Sequence, residues 1–342
     1  MNLDELKAKV LKPYPHADAA RIPQPMVLDD GESAFFTLQL AYIQLQQLAI
    51  KHKPLRAMEF IPVTSEAPAG AESIRVRFYD FVGKAKIVHD YASDFPMANT
   101  YGIEKTFNIK SLGSGYQYSV QEIRRSQMAG TPLDQREAMA AQRTIDELHD
   151  SIAWMGDAET GLLGFLNYPG INTYTLGTGG TGKTVWSDKT PDQILADITG
   201  LVTTIRTATN GKEIPDTLLL PQAKYMYLAN TRLGTYNDVS ILTYLKVNLK
   251  ELGITTIDWV NELANFKYAG VSAAGNIDAG NTYANRMIAY KRDPEHLRLE
   301  IPVLFETFPP QQENLVYKVV AHARTAGVIV YYPLSVGVAD GL

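Results

Sequence analysis

Two segments in the first half of the chain constrain its fold more than any others. The first is Ser73 to Phe81, where Ile74, Val76 and Phe78 point one way and Arg75, Arg77 and Tyr79 the other. That period of two is the strand signature. Gly83 marks a turn, and Lys84 to Tyr91 reads as the return arm of a charged β-hairpin. The second segment is a helix from Pro132 to Met155, about 36 Å long at 1.5 Å per residue. Thr131 is placed to cap it, Pro132 suits its first position, Asp134 favours its first turn and Gly156 stops it. Ala138, Ala141, Ile145, Leu148, Ile152 and Met155 form an apolar stripe along one side. A long arm followed by a long spine points to assembly rather than to a catalytic pocket.

Composition narrows the class. Of 342 residues, 45% are hydrophobic, which is the content of a folded chain. The net charge is −5, from 32 basic and 37 acidic residues, whereas a dedicated nucleic-acid binder carries a basic stripe. Arg124-Arg125 is the clearest basic pair and reads as a solvated face. The chain has no cysteine, which excludes disulfides, thiolate chemistry and sulfur-ligated zinc. Met1 to Val10 lacks the apolar core of a signal peptide, and no stretch approaches the roughly 20 apolar residues of a membrane span. These features predict a soluble intracellular product. The 19 tyrosines suit partly wet interfaces as well as ordinary core positions.

Along the chain, residues 1–32 read as an arm broken by Pro13, Pro15, Pro23 and Pro25, and 33–54 as a helix leading into a loop. Met58 to Val63 reads as a short strand. Lys105 to Leu112 and Tyr116 to Val120 are strand candidates joined by Gly113-Ser114-Gly115, and Gln121 to Met128 is a short helix. Residues 156–189 form a long Gly- and Thr-rich connection of the kind that often carries function. Thr190-Pro191-Asp192-Gln193 is a capping box that opens a second unit. There, helices at 190–210, 222–229 and 240–252 alternate irregularly with strands at 217–220, 254–260 and 286–291. Leu297 to Phe305 reads as one strand, with Arg298, Glu300 and Glu306 on its polar side. Strands at 316–324 and 328–332 close the chain. This order predicts an α+β fold rather than a doubly wound sheet.

Gly177 to Thr184 reads Gly-Thr-Gly-Gly-Thr-Gly-Lys-Thr, a full match to the phosphate-loop pattern. That chemistry needs a buried strand before the loop and a helix starting at the lysine. Here the upstream segment, Asn172 to Leu176, is polar, and the helix signal waits until Thr190-Pro191. The plainer expectation is a flexible surface loop. The six histidines, His16, His52, His89, His149, His296 and His322, show no metal-ligand spacing, and His149 is expected on the polar face of the spine. No catalytic, cofactor-binding or metal-binding residue emerges.

Four stretches carry a family resemblance: Phe81 to Val88 through Asp94-Phe95-Pro96; Tyr116 to Ile123 with Thr131 to Asp134; Gly161 to Asn167 with Pro169-Gly170-Ile171; and Arg324 to Val328 with Tyr332-Pro333. In this order the chain resembles the major capsid proteins of tailed bacteriophages, with the HK97-like fold. The resemblance implies an extended loop at 55–95, a peripheral domain at 96–189 and 306–342 holding the spine at 132–155, and an axial domain at 190–305. It implies a virion shell protein, not an enzyme, assembled in the host bacterial cytoplasm. The expected partners are other copies in hexamers and pentamers, a separate scaffolding protein and a portal protein, around double-stranded DNA bound without sequence specificity. A decoration protein is left open, and no N-terminal processing is expected. Arg75, Arg77, Lys84 and Lys86 on the loop are the expected inter-subunit contacts. The same fold would serve an encapsulin-like nanocompartment; a P-loop nucleotide hydrolase is the rival from another class.

Overall fold

A computed structural model describes residues 52–342 apart from 88–95, 130–132, 235–236, 268–269, 272–276 and 279–281. The chain divides into units Met1–Lys53 and Pro54–Leu342, and only the second is described below. The expected arm, the helix entering the loop, the cap at Thr131-Pro132 and the far part of the expected return arm lie outside the described residues.

A mixed sheet runs through the centre of this unit. Its strands lie in the order Thr256–Trp259, Thr217–Leu220, Thr282–Tyr290, Gly337–Asp340, Asn172–Tyr174, and Ala264–Lys267 also pairs with Thr282–Tyr290. The outer pairs on this path are parallel and the inner pairs antiparallel. Thr217–Leu220 is buried throughout, so its alternating side chains feed two cores. Leu218 and Leu220 point into a core with Ile194, Ile198 and Leu201 of the helix Pro191–Ala208 and with Leu245 of the helix Ile241–Glu251. Leu219 points the other way, into a core with Phe60, Trp154, Phe165, Leu297 and Val328. Phe165 meets Tyr290 edge-on at 4.9 Å between ring centres. The first helix carries the expected capping box, with Thr190 and Gln193 bonding each other's backbone amides.

A lateral sheet is built on the long strand Val316–Thr325. Lys110–Ser119 pairs along one side of it, and Val303–Thr307 and Gln311–Glu313 along the other. The spine helix, Leu133–Met155, packs on this sheet through Ile145 and Ile152 against Leu112, Ala321 and Ala323. Gly156 stops the spine at a φ of 70°, where an added Cβ would lie 2.3 Å from the Leu162 carbonyl.

Several expectations are corrected. The strand Ser73–Val82 pairs not with Lys84 to Tyr91 but with Asn99–Asn108, and Gly83 to Ile87 are not in a strand. The observed register sets Phe78 against Ile103, Ile74 against Phe107 and Arg77 against Glu104, and such cross-strand pairs decide register. The strand after it is continuous from Lys110 to Ser119, because Gly113, Ser114 and Gly115 all stay in the ladder with Val316–Thr325. Met58 to Val63 is a one-turn helix, Ala57–Phe60, then a strand, Val63–Thr64; the Asp150 carboxylate accepts the Ala57 amide at 2.8 Å. Pro302, which has no amide to donate, splits Leu297 to Phe305 into Leu297–Glu300 and Val303–Thr307, in different sheets. On the spine, Leu148 is exposed and His149 buried. The buried line therefore runs Ala141, Ile145, His149, Ile152 and Ala153.

Candidate assembly interface

The hairpin is held firmly at its root and exposed at its far end. At the root, Glu300 is fully buried and its carboxylate accepts the Thr64 hydroxyl at 2.6 Å and the Ala67 amide at 2.9 Å. Burial of a carboxylate is tolerated only with such partners. Arg298 donates to Glu66 at 2.6 Å and lies over the Tyr331 ring at 5.2 Å. Arg324 donates to the Ala69 carbonyl. Ile74 and Phe107 pack on Ile109, Ala326 and Ile329, and the Phe78 ring lies 6.4 Å from both Tyr331 and Tyr332. The alternation around Leu299 had placed Glu300 on a polar face. Its burial depends on a strand, Val63–Thr64, that is far away in sequence.

Past Phe78 the apolar side chains lose their cover. Tyr79, Phe81, Val82, Tyr101 and Ile103 are all exposed, with Phe81 80% exposed. Arg75 and Arg77 share a face, as their spacing predicts, and both reach Glu104 on the facing strand, at 3.5 and 3.1 Å. One carboxylate within the chain thus meets both arginines. Hydrogen bonding to Glu104 holds the Arg77 guanidinium even further above neutrality than usual. Lys84 and Lys86 are exposed beyond the strand and are not brought onto the ladder with the arginines.

The phosphate-loop lookalike has spent its amides internally. Gly179 N–H donates to the Lys183 carbonyl at 2.7 Å, Gly180 N–H to the Asp188 carbonyl at 3.3 Å and Gly182 N–H to the Gly179 carbonyl at 3.1 Å. Thr181 donates to the Asp188 carboxylate through its amide at 3.0 Å and its hydroxyl at 2.5 Å. These bonds hold the Asp188 carboxyl below the usual carboxylate range. Backbone carbonyls of the loop and of Asp188, together with the Asp188 carboxylate at Thr181, therefore occupy the donors that a phosphate would need. Thr184, the expected magnesium ligand of such a motif, donates instead to the Gly341 carbonyl at 2.8 Å. The loop is also tied down at both ends by the buried Asp197, which accepts the Gly177 amide at 3.2 Å, the Trp186 indole N–H at 3.2 Å and the Lys189 ammonium at 2.5 Å. The connection expected to be a flexible loop is an internally bonded one. Among the described residues no group of three or more His, Cys, Asp or Glu is placed to hold a metal ion, and no helix is long and apolar enough to cross a membrane.

A family model described as major capsid protein matches residues 83–342, more than half of the chain. This chain belongs to the major capsid protein family. Among solved structures, the capsid of Myoviridae phage XM1 superposes with a TM-score of 0.72 at 17% identity, covering 89% of this chain and 98% of that one. The capsid of a native GTA particle gives 0.62 at 11% identity over 92% and 99%. A structure from Mycobacterium phage Bobi gives 0.59 at 14% identity over 92% and 99%. At such identities the likeness is one of fold. No curated protein sequence matches the chain. The capsid-family match takes in the return strand of the hairpin, the spine, both sheets and the 177–184 loop, which places that loop inside a shell protein.

Proposed function

We propose that this capsid protein builds the hexamers and pentamers of an icosahedral phage head with the HK97-like arrangement. In this reading the hairpin, with strands at 73–82 and 99–108, is the extended loop. The spine and lateral sheet form the peripheral domain, and residues 190–302 form the axial domain around the symmetry axes, since Val303–Thr307 belongs to the lateral sheet. The observation that carries it is a hairpin with a fixed root and an uncovered apolar far end. Each strand is 10 residues, so the hairpin spans about 34 Å at 3.4 Å per residue. A two-stranded hairpin is marginal in water without a packing partner. In a shell, a heterologous contact repeated around an axis supplies that partner in every copy and closes into a ring.

The role is structural. The net charge of −5 suits a wall around double-stranded DNA, since basic walls hold phosphate strongly and hinder packing and release. A separate scaffolding protein and a portal complete the assembly set, with assembly in the host cytoplasm. Arg75, Arg77, Lys84 and Lys86 stand at the rim of the inter-subunit contact, each pair contributing little. Electron microscopy of the purified protein, with and without candidate scaffolding partners, tests the proposal. Closed particles or six- and five-membered rings are expected. A discrete monomer or dimer under all conditions overturns it.

A further inference from the structure

The root of the hairpin rests against a buried histidine whose two ring nitrogens both face carboxylates. His296 sits in the turn between the strands Thr282–Tyr290 and Leu297–Glu300. Its side chain is 7% exposed. Nε2 lies 2.7 Å from a Glu213 oxygen, and Nδ1 lies 3.5 Å from an Asp293 oxygen. Nδ1 is buried and makes no well-formed hydrogen bond. A neutral imidazole carries one N–H and one bare lone pair. Either tautomer therefore turns a lone pair toward a carboxylate here, toward Asp293 with the proton on Nε2 and toward Glu213 with the proton on Nδ1. Only the doubly protonated ring presents an N–H to each.

The groups around the ring come from three segments. Glu213 belongs to the loop that follows the helix Pro191–Ala208, where its amide donates to the Thr209 hydroxyl at 3.3 Å. Asp293 and Lys291 belong to the histidine's own turn. Lys291 lies 3.5 Å from the same Glu213 oxygen, and Asp293 also accepts the Glu295 amide at 3.0 Å. With the ring charged, two cations face two carboxylates. With the ring neutral, one cation faces both, an imbalance that costs more in a half-buried site than in open water. The third segment is Tyr331-Tyr332. Tyr331 donates its amide to the His296 carbonyl at 2.9 Å, and the Tyr332 ring lies 5.3 Å from the imidazole. The same two tyrosine rings meet Phe78 of the hairpin, each at 6.4 Å. A line of contacts thus runs from Glu213 through His296 and Tyr332 to Phe78.

We propose that His296 is a protonation-controlled latch for the hairpin root, closed when its ring carries two protons. Imidazole is the side chain whose charge changes between about pH 5 and 8. Closed, the ring is fixed between Glu213 and Asp293 and held against Tyr332. Open, it donates to one carboxylate only, and Tyr332 and Phe78 lose a fixed backing. The contacts that need the charged ring are present at acid pH and are lost as the ring deprotonates. The hairpin root is therefore held more firmly at acid than at alkaline pH. The latch lies within one subunit and goes beyond the shell reading, so particle formation neither supports nor opposes it.

Amide hydrogen exchange of the unassembled full-length chain, corrected for the intrinsic dependence of exchange on pH, tests the proposal. From about pH 5 to about pH 8, protection at Tyr331 and at 74–78 is expected to fall several-fold, and by more than protection in the central strand 217–220. In His296→Gln, whose side chain keeps a donor and cannot charge, this difference is expected to vanish. Asp293→Asn keeps an oxygen for the Glu295 amide and removes one of the two carboxylates; it is expected to shrink the difference, and it serves where His296→Gln does not fold. Equal protection at the two pH values in the unmodified chain overturns the latch. So does an undiminished difference in either variant, or a fall that is as large at 217–220 as at the root. Protection lost toward acid instead, the direction expected of the buried His149, also overturns it.

Discussion

The hairpin and the central sheet spend the same kinds of residue in opposite ways. In Thr217–Leu220 each leucine is buried, alternate side chains serve two cores, and the chain is complete in itself. In Ser73–Val82 and Asn99–Asn108 the same alternation leaves Val82, Tyr101 and Ile103 on one face and Phe81 on the other in solvent. The central sheet stabilises the subunit, whereas the apolar side chains at the hairpin's far end stay exposed on it. Apolar area contributes to stability only where it is removed from water, at roughly 25 cal/mol per Å². The hairpin's outer half leaves that area in water on the single subunit, and in the proposed shell its removal comes with assembly.

Substitutions in the two regions should therefore separate folding from assembly. The largest losses of subunit stability belong to the central body. Phe165→Ala, at a fully buried ring against Trp154 and Tyr290, is expected to cost about 3–5 kcal/mol in urea denaturation of the unassembled subunit. Asp197→Ala strands the buried Lys189 ammonium and is expected to cost a similar amount, about 3–5 kcal/mol, with the 177–189 connection released to protease. A loss below about 1 kcal/mol there would show that the pair is not buried in solution.

His149 links the spine to pH. It is fully buried, its ring nitrogens lack a well-formed hydrogen bond, and the Leu304 carbonyl approaches it. Burial lowers its pKa below the ordinary value near 6.5. The unfolded chain then binds a proton that the folded one does not, so stability falls as pH drops below about 6.5. His149→Gln is expected to flatten this part of the profile, read as a smaller change in the denaturation midpoint between neutral and mildly acid buffer. An unchanged slope would assign the acid sensitivity elsewhere.

Smaller again is Thr190→Ala, which removes one side of the capping box and is expected to cost about 1 kcal/mol. The smallest effect on folding sharpens the comparison most. Phe81→Ser should change subunit stability by less than about 0.5 kcal/mol, as for exposed positions generally. The same variant should reduce the yield of closed particles in electron microscopy. Equal effects on both readouts would mean that the far end is already packed within the subunit.

Much of this was legible without coordinates. The strand at 73, the spine, the capping box at Thr190 and the fully buried strand at 217 follow from local periodicity and capping, because those signals involve residues within a few positions of one another. Capping at the helix Val120–Ala129 was equally local: Ser119 and Glu122 bond each other's amides at 2.8 and 3.2 Å. The candidate interface was legible in kind, as an exposed arm, but its residues were only partly so. Arg75 and Arg77 do share a face, yet a local turn signal at Gly83 could not reveal that the return strand lies at 99–108, where Glu104 meets both.

Local pattern determined which segments become helix or strand and, through the order of those elements, the resemblance to capsid proteins. Only the tertiary structure decided which partner each segment meets. Glu300 is buried because Thr64 and Ala67 reach it, and His149 replaces Leu148 in the core because the lateral sheet lies on that side of the spine. The 177–184 motif is closed because Asp188, Asp197 and Gly341 fold against it. Periodicity acts between near neighbours along the chain, whereas desolvation and hydrogen bonding act between whatever groups folding brings within a few ångströms, and those groups can come from opposite ends of the sequence.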